Sequence, residues 1–249
     1  MALQALLWDV DGTLAETERD GHRVAFNRAF ADVGVALHWD AARYGELLAI
    51  SGGRERITAA ITESLGEPPP PNLVAELQAR KQLHYGALVA AGELRLRPGV
   101  AELIAAAGLA GLSQVIVTTS GRAAVAALAE HLLGGLRQHF AFWVCGEDVA
   151  RKKPDPEAYQ LALQQLGCPA SKALALEDSG NGLAAAASAG LACLLTLSHY
   201  GSAEPQRFGR ARAVVDRLGA GAAVLRGPAC QGRQITLSYV QSLLEDSAT

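Results

Sequence analysis

The sequence is short of the features that mark several large protein classes. Phenylalanine, tryptophan and tyrosine make up 5% of its 249 residues, and there is one methionine, so its hydrophobic half is mainly aliphatic. Charge is nearly balanced, with 22 Lys and Arg against 25 Asp and Glu, net −3. A nucleic-acid-binding surface needs a stronger basic bias, and the densest basic run is only Arg151-Lys152-Lys153. The four cysteines, Cys145, Cys168, Cys193 and Cys230, are far apart with no metal-ligand spacing. They read as reduced thiols in a core. The longest apolar stretch, around 191–197, is far too short to span a bilayer. A strand-like run begins at Leu3 and leaves no room for a removable leader. A cytoplasmic protein of one large or two moderate domains is expected, monomeric, with neither nucleic acid nor membrane as partner.

What is present is a set of short apolar runs, each ending in polar residues. Leu3 to Trp8 precedes Asp9, and Gln114 to Val117 precedes Thr118-Thr119-Ser120. Phe142 to Cys145 precedes Gly146-Glu147-Asp148, Ala173 to Leu176 precedes Glu177-Asp178, and Ala192 to Leu197 precedes Ser198-His199. Between most of them lies helical periodicity. Val100, Leu103, Ile104 and Ala107 share one face, and Tyr159, Leu161, Ala162 and Leu166 suggest another. Buried strands alternating with helices imply parallel βαβ units. The expected fold is therefore α/β, a doubly wound parallel-sheet (Rossmann-like) core. In such sheets ligands bind beyond the carboxyl ends of the strands, where every polar cluster above falls.

Residues 16–93 break this pattern. They are rich in Ala, Leu, Glu and Arg, contain no convincing strand, and carry Pro68-Pro69-Pro70-Pro71, a stiff connector between helices. A helical cap domain over 16–93 is expected, inserted into a discontinuous core of 1–15 and 94–249. From Gly227 onward a turn and a final helix, with Ile235 and Val240, carry no assignable function.

Four segments hold the chemistry. They are Asp9-Val10-Asp11-Gly12-Thr13, the Thr118-Thr119-Ser120 cluster, Lys153 before Pro154-Asp155-Pro156, and Glu177-Asp178. In this order and at these positions, the sequence resembles the capped phosphatase and phosphomutase branch of the haloacid dehalogenase superfamily, over nearly the whole chain. Two carboxylates one residue apart beside a buried strand repel, a cost tolerated where they meet a cation or do chemistry. Asp9 is suited to be a nucleophile that splits phosphate-ester hydrolysis through an aspartyl-phosphate. Asp11, two residues beyond it, is the candidate acid–base that protonates the leaving oxygen and then deprotonates water. Gly12 allows the turn between them. Thr118 and Thr119 are placed to donate to the phosphoryl group, and Lys153 to offset its charge. A cation must separate carboxylate from phosphate, and Mg²⁺ prefers such oxygen ligands. The resemblance implies Asp9, Asp178 and the Asp11 carbonyl as ligands, with Glu177 bound directly or through water.

Within that superfamily the sequence is most similar to the CbbY group of sugar-bisphosphate phosphatases, which includes xylulose-1,5-bisphosphate phosphatase. The residues that carry this are Gly12 to Glu18, then His22-Arg23, then Ser51-Gly52-Gly53-Arg54-Glu55-Arg56-Ile57. Two phosphates need two anion sites, and the cap must supply the second. Arg54 and Arg56 are placed to hold an anion, Arg54 being the first candidate, then Arg23 and His22, with Glu16 for sugar hydroxyls. Ser51, Gly52 and Gly53 let backbone approach the ligand, and Ser120 and Arg122 complete the expected substrate contacts. The resemblance implies a Mg²⁺-dependent sugar-phosphate phosphatase that clears an inhibitor of carbon-fixing (Calvin cycle) metabolism. A β-phosphoglucomutase-type phosphomutase is the alternative, and a non-catalytic phosphosugar-binding regulator the alternative of another class.

Overall fold

The computed structural model describes residues 2–201 and 208–245. Its sheet grows outward from β1 (Ala5–Trp8). Leu6 and Trp8 join the core on one face, while Ala5 and Leu7 join the core on the other. Such a strand reads as a continuous apolar run because both faces are covered. The polar residue beside it, Gln114, is satisfied inside the core. It accepts from the Trp8 indole at 3.0 Å and donates to the Ile104 carbonyl at 2.9 Å, so its burial leaves no amide group stranded.

The other strands are β2 (Ser113–Val117), β3 (Phe140–Val144), β4 (Ala173–Glu177), β5 (Ala192–Thr196), β6 (Ala213–Val215) and β7 (Val224–Arg226). They lie in the order β3-β2-β1-β4-β5-β6-β7. All neighbours run parallel except β7, which is antiparallel to β6. The register places Trp8 beside both Ile116 and Leu176. The next residues, Asp9, Val117 and Glu177, therefore come level at one edge of the sheet.

Of the helices that precede β2, four form a body of their own: α1 (Arg23–Val33), α2 (Ala41–Leu47), α3 (Gly53–Leu65) and α4 (Pro71–Ala90). A π-helical turn, Glu18–His22, leads into α1. These helices pack around Phe26, Phe30, Trp39, Tyr44, Ile57 and Leu77, separately from the sheet cores. Pro68–Pro70 link α3 to α4, and Pro71 opens α4, where a missing N–H leaves no helical bond unmade. Against the sheet, α5 (Val100–Leu109), α6 (Arg122–Leu128) and α9 (Leu237–Glu245) cover one face. The opposite face is covered by α7 (Glu157–Leu166) and α8 (Gly180–Ser188). The two chain crossings between sheet domain and cap lie side by side: Ala15 bridges Leu96 in antiparallel fashion, and the Arg97 amide donates to the Leu14 carbonyl at 2.9 Å.

The expected helix after Gly227 is α9. Strands β6 and β7 went unread, because three residues are too few to show a period. No helix among the described residues is long and apolar enough to cross a membrane.

The start of α5 is the tightest backbone approach in the sheet domain. Gly99 has φ +86°, and a Cβ on it would fall 2.2 Å from the Gly219 amide nitrogen. Backbone cannot yield as a side chain can. Gly99→Ala is expected to destabilise the fold by about 2–5 kcal/mol through strain and overpacking. Urea unfolding measures this, and an unchanged midpoint contradicts it.

Candidate active site

The level edge formed by β1, β2 and β4 gathers the sequence motifs into one buried cluster. Asp9, Glu177 and Asp178 each offer a carboxylate oxygen within 4.8 Å of the others, and all three are buried. Burial pushes Asp9 well above the usual carboxylate range, and the neighbouring carboxylates add to the effect. Burial likewise pushes Asp178 up to about 8, even though Ser198 hydrogen-bonds its side chain. So much negative charge taken out of water needs a counter-charge.

Part of it is Lys153, 3% exposed. Its ammonium donates to Asp9 Oδ1 at 2.8 Å, Glu177 Oε1 at 2.6 Å and the Val117 carbonyl at 2.7 Å. Three donors thus meet three acceptors. Burial opposes its charge, but Asp9 and Glu177 outweigh that and hold its pKa well above the ordinary lysine value. Tyr159 steadies the pair from behind: its hydroxyl donates to Glu177 Oε1 at 2.5 Å, and its ring lies 5.0 Å from the ammonium. One ammonium shared by two carboxylates still leaves the Asp9 and Asp178 side under-compensated. An all-oxygen donor set of this kind fits Mg²⁺, as the sequence suggests.

Asp11 turns the other way. Its carboxylate accepts from the Thr17 and Ser120 hydroxyls and from His22 Nε2 at 2.9 Å. Burial works against its charge, yet His22 and these hydrogen bonds overcome it and hold Asp11 well below the usual range. His22 is itself fixed by stacking on Tyr85, with ring centroids 4.2 Å apart. Thr118 is buried, and its hydroxyl accepts the Ser120 amide at 3.0 Å. The Thr118 hydroxyl thus closes a turn and lines neither cavity at the site, where Thr119 and Ser120 are the hydroxyls that do.

Two cavities meet here. One, of about 200 Å³, has Asp9, Asp11, Lys153 and Asp178 on its core side and Ser51 and Tyr200 opposite. The second, of about 550 Å³, lies between the cap and the Thr119-Ser120-Gly121 turn. Thr119, Glu18 and Arg56 line both. His22, Gly52, Gly53, Arg54 and Ser120 line the second, as the sequence suggests, together with Lys81 and Lys152. The cap rests on the core through Lys152–Glu55 at 2.5 Å and Asn181 Nδ2 donating to the Ala49 carbonyl at 3.5 Å.

Three expected substrate contacts lie elsewhere, lining neither cavity. Arg23 donates to the Arg19 and Trp39 carbonyls on the outside of the cap, because α1 turns it away. Arg122 pairs with Asp148 at 2.5 Å, drawn there by the acidic loop after β3. Glu16 pairs with Arg97 at 3.3 Å beside the chain crossings.

Other residues went unread. Glu18 takes the place expected of Glu16, and accepts from the Tyr44 hydroxyl. Lys81 is buried and makes no hydrogen bond among the described residues, lying 5.1 Å from the ring centres of Phe26 and Tyr85. Its signal was present: Leu77, Lys81 and Tyr85 stand four apart, so a charge interrupts a buried helical stripe.

A family model described as haloacid dehalogenase-like hydrolase matches residues 3–190. Protein CbbY of Cereibacter sphaeroides is 45% identical over 199 residues, spanning 80% of this chain and 86% of that protein. The chain is a haloacid dehalogenase-like hydrolase of the CbbY-like group. As a member it falls among the phosphoric monoester hydrolases. A crystal structure of a CbbY variant from Rhodobacter sphaeroides in complex with xylulose-1,5-bisphosphate is 43% identical. It superposes with a TM-score of 0.80 over 86% of this chain and 94% of that one. The β-phosphoglucomutase of Clostridium difficile, at 18% identity and a TM-score of 0.75 over 98% of both chains, shares the fold.

If the haloacid dehalogenase-like site works through this cluster, Lys153→Met leaves Asp9 and Glu177 facing each other without their common donor. Phosphate release should fall by about 10²–10³-fold, the usual cost of removing one preorganised donor from a reacting group. Steady-state assay of folded variant checks it; retention of a tenth of the activity speaks against this role.

Proposed function

We propose that this enzyme is a Mg²⁺-dependent phosphatase that removes one phosphate from a small sugar bisphosphate, with xylulose-1,5-bisphosphate as its best substrate. The observation that carries this is the joining of a carboxylate-lined cavity, which would take a phosphoryl group together with a divalent cation, to a second cavity lined by basic side chains. The catalytic carboxylates and Lys153 lie in one, while Arg54, Lys81 and Lys152 converge on the other. A monophosphate needs only the first. The xylulose-1,5-bisphosphate held by the CbbY neighbour supports the same choice.

Asp9 attacks the phosphorus and is released again by water, so one slow displacement becomes two faster ones. Mg²⁺, held by Asp9 and Asp178 with Glu177 alongside, would supply the charge that lets an anionic nucleophile approach an anionic ester. Lys153 fixes the Asp9 carboxylate and offsets the charge it shares with the phosphoryl group. Asp11 faces the side where the sugar enters, hydrogen-bonded to His22, Ser120 and Thr17. Asp11 is held as an anion in the free site, so the proton it would give to the departing sugar oxygen arrives with the substrate's phosphate monoanion or from solvent, and as a carboxylate it then deprotonates the attacking water. Gln78 and Gln82 line the second cavity, and their side-chain oxygens have no donor among the described residues. Sugar hydroxyls are suitable donors for them.

The deciding assay is phosphate release with Mg²⁺ from xylulose-1,5-bisphosphate, ribulose-1,5-bisphosphate, hexose phosphates and β-glucose-1-phosphate, with Asp9→Asn as control. Preference for xylulose-1,5-bisphosphate is expected. Conversion of β-glucose-1-phosphate to glucose-6-phosphate without release would make the chain a mutase instead.

Lys81 adds a test that needs no turnover. Burial pushes its pKa down to about 8, with Asp11 and Glu18 pulling the other way. The folded value lies below the unfolded one, so below pH 8 the fold carries the penalty of a buried charge, about 3 kcal/mol. That penalty fades as pH rises from 8 toward the unfolded lysine value. Lys81→Met should raise the melting temperature at neutral pH, less so near pH 10, and weaken binding of bisphosphates more than monophosphates. A lower melting temperature, or an unchanged preference, would remove Lys81 from the second anion site.

A further inference from the structure

Arg97 lies on the chain crossing that returns from the cap, 8% exposed, with both terminal nitrogens of its guanidinium hydrogen-bonded and its Nε beside a carboxylate. Nε faces the Glu16 carboxylate at 3.3 Å, on the outgoing crossing. Nη1 donates to the Gly12 carbonyl and to the Thr196 carbonyl at 3.1 Å. Nη2 donates to the Leu197 carbonyl at 2.5 Å and to the Asp216 carbonyl at 3.3 Å. Four hydrogen bonds and one ion pair thus reach the catalytic loop, the ends of β5 and β6, and the cap linker. Only arginine can do this, because lysine has three donors and no planar fork.

Two of those acceptors adjoin the chemistry. Gly12 follows Asp11, and its own Cα is packed so closely on the metal-side carboxylate that a Cβ there would fall 2.0 Å from Asp178 Oδ2. Leu197 precedes Ser198, whose side chain hydrogen-bonds Asp178. We propose that Arg97 is a positioning residue for the reaction: it sets Asp11 through Gly12, sets Asp178 through Gly12 and Ser198, and ties both to the two crossings of the cap. A guanidinium that only stiffened the domain would have no need to grip the residue after the acid–base group. Its reach from Glu16 to Gly12 means that the cap linker and the catalytic loop share one rigid joint.

This rests on Asp11 being the acid–base group of the phosphatase reaction, and that role gives a specific readout. A sugar alkoxide needs a proton to leave, whereas p-nitrophenolate does not, so a misplaced Asp11 slows the first far more than the second. In Arg97→Lys, kcat on the sugar phosphate is expected to fall about tenfold further than kcat on p-nitrophenyl phosphate, with KM for each changed less than kcat. Added guanidinium ion is expected to restore part of the sugar-phosphate kcat of Arg97→Ala, which keeps the test open if the lysine variant folds poorly. Equal loss on both substrates, in step with a fall in melting temperature and without rescue, would show a structural role only and overturn the proposal. No loss on either substrate overturns it too. Absence of release from both substrates by the unaltered enzyme would instead remove the phosphatase function itself, and this proposal with it.

Discussion

The site depends on one buried ammonium. Lys153 holds Asp9 and Glu177 together at hydrogen-bonding distance, and its third proton is spent on the Val117 carbonyl at the end of β2. Three strands therefore meet at one nitrogen. Their parallel register brings Asp9, Val117 and Glu177 level, and level residues are what a single ammonium can bridge. A one-residue slip of either neighbour would turn its side chains to the other face and break the triad. The geometry is strained electrostatically rather than sterically. Burial drives Asp9 and Asp178 upward, and the same unmet negative charge is what makes the cluster a place for a divalent cation and a phosphoryl group.

Asp11 shows how the chain separates two like charges only two residues apart. The turn at Gly12 sends its side chain toward the cap, where Thr17, His22 and Ser120 stabilise it as an anion. Asp9 and Asp11 then occupy opposite electrostatic settings. Asp9, the proposed nucleophile, sits among carboxylates and one ammonium, and Asp11, the proposed acid–base group, among hydrogen-bond donors. Divergent environments for paired carboxylates are how one site runs both halves of a two-step transfer.

How much of this was legible depended on whether a residue acts through local pattern or through distant partners. Asp9, Lys153, Glu177 and Asp178 were readable because each follows a strand-length apolar run or a distinctive loop, and strand ends converge in any parallel sheet. The helical stretch between β1 and β2 was readable from the loss of strand signals and the tetraproline break. Lys81 was readable in principle, as a charge in the Leu77–Tyr85 stripe. Glu16, Arg23 and Arg122 were assigned to the substrate from their nearness to motifs, but nearness along the chain does not fix direction. The turn after Ala15 points Glu16 at Arg97, and Asp148 captures Arg122. Arg97 looked like an ordinary residue before Pro98-Gly99, because all but one of its acceptors are backbone carbonyls, which carry no sequence signature.

The buried cations differ in a way that assigns their work. Lys153 has three acceptors for three protons, and Arg97 makes four hydrogen bonds and one ion pair, so both are engaged without any ligand. Arg56 is spent on the Leu47 and Ile50 carbonyls and the Tyr44 hydroxyl. Lys81 alone among these four makes no hydrogen bond with the described residues, having only two aromatic rings for company. Cation–π contact offsets part of the desolvation of an ammonium, about 1–2 kcal/mol when buried, but supplies no acceptor for its protons. A lysine kept at that cost in a cavity also lined by Arg54 and Lys152 has its acceptors brought to it. Under the proposed bisphosphate reading, a second phosphate at the far end of the substrate would supply those acceptors, beside Arg54 and Lys152 in the same cavity.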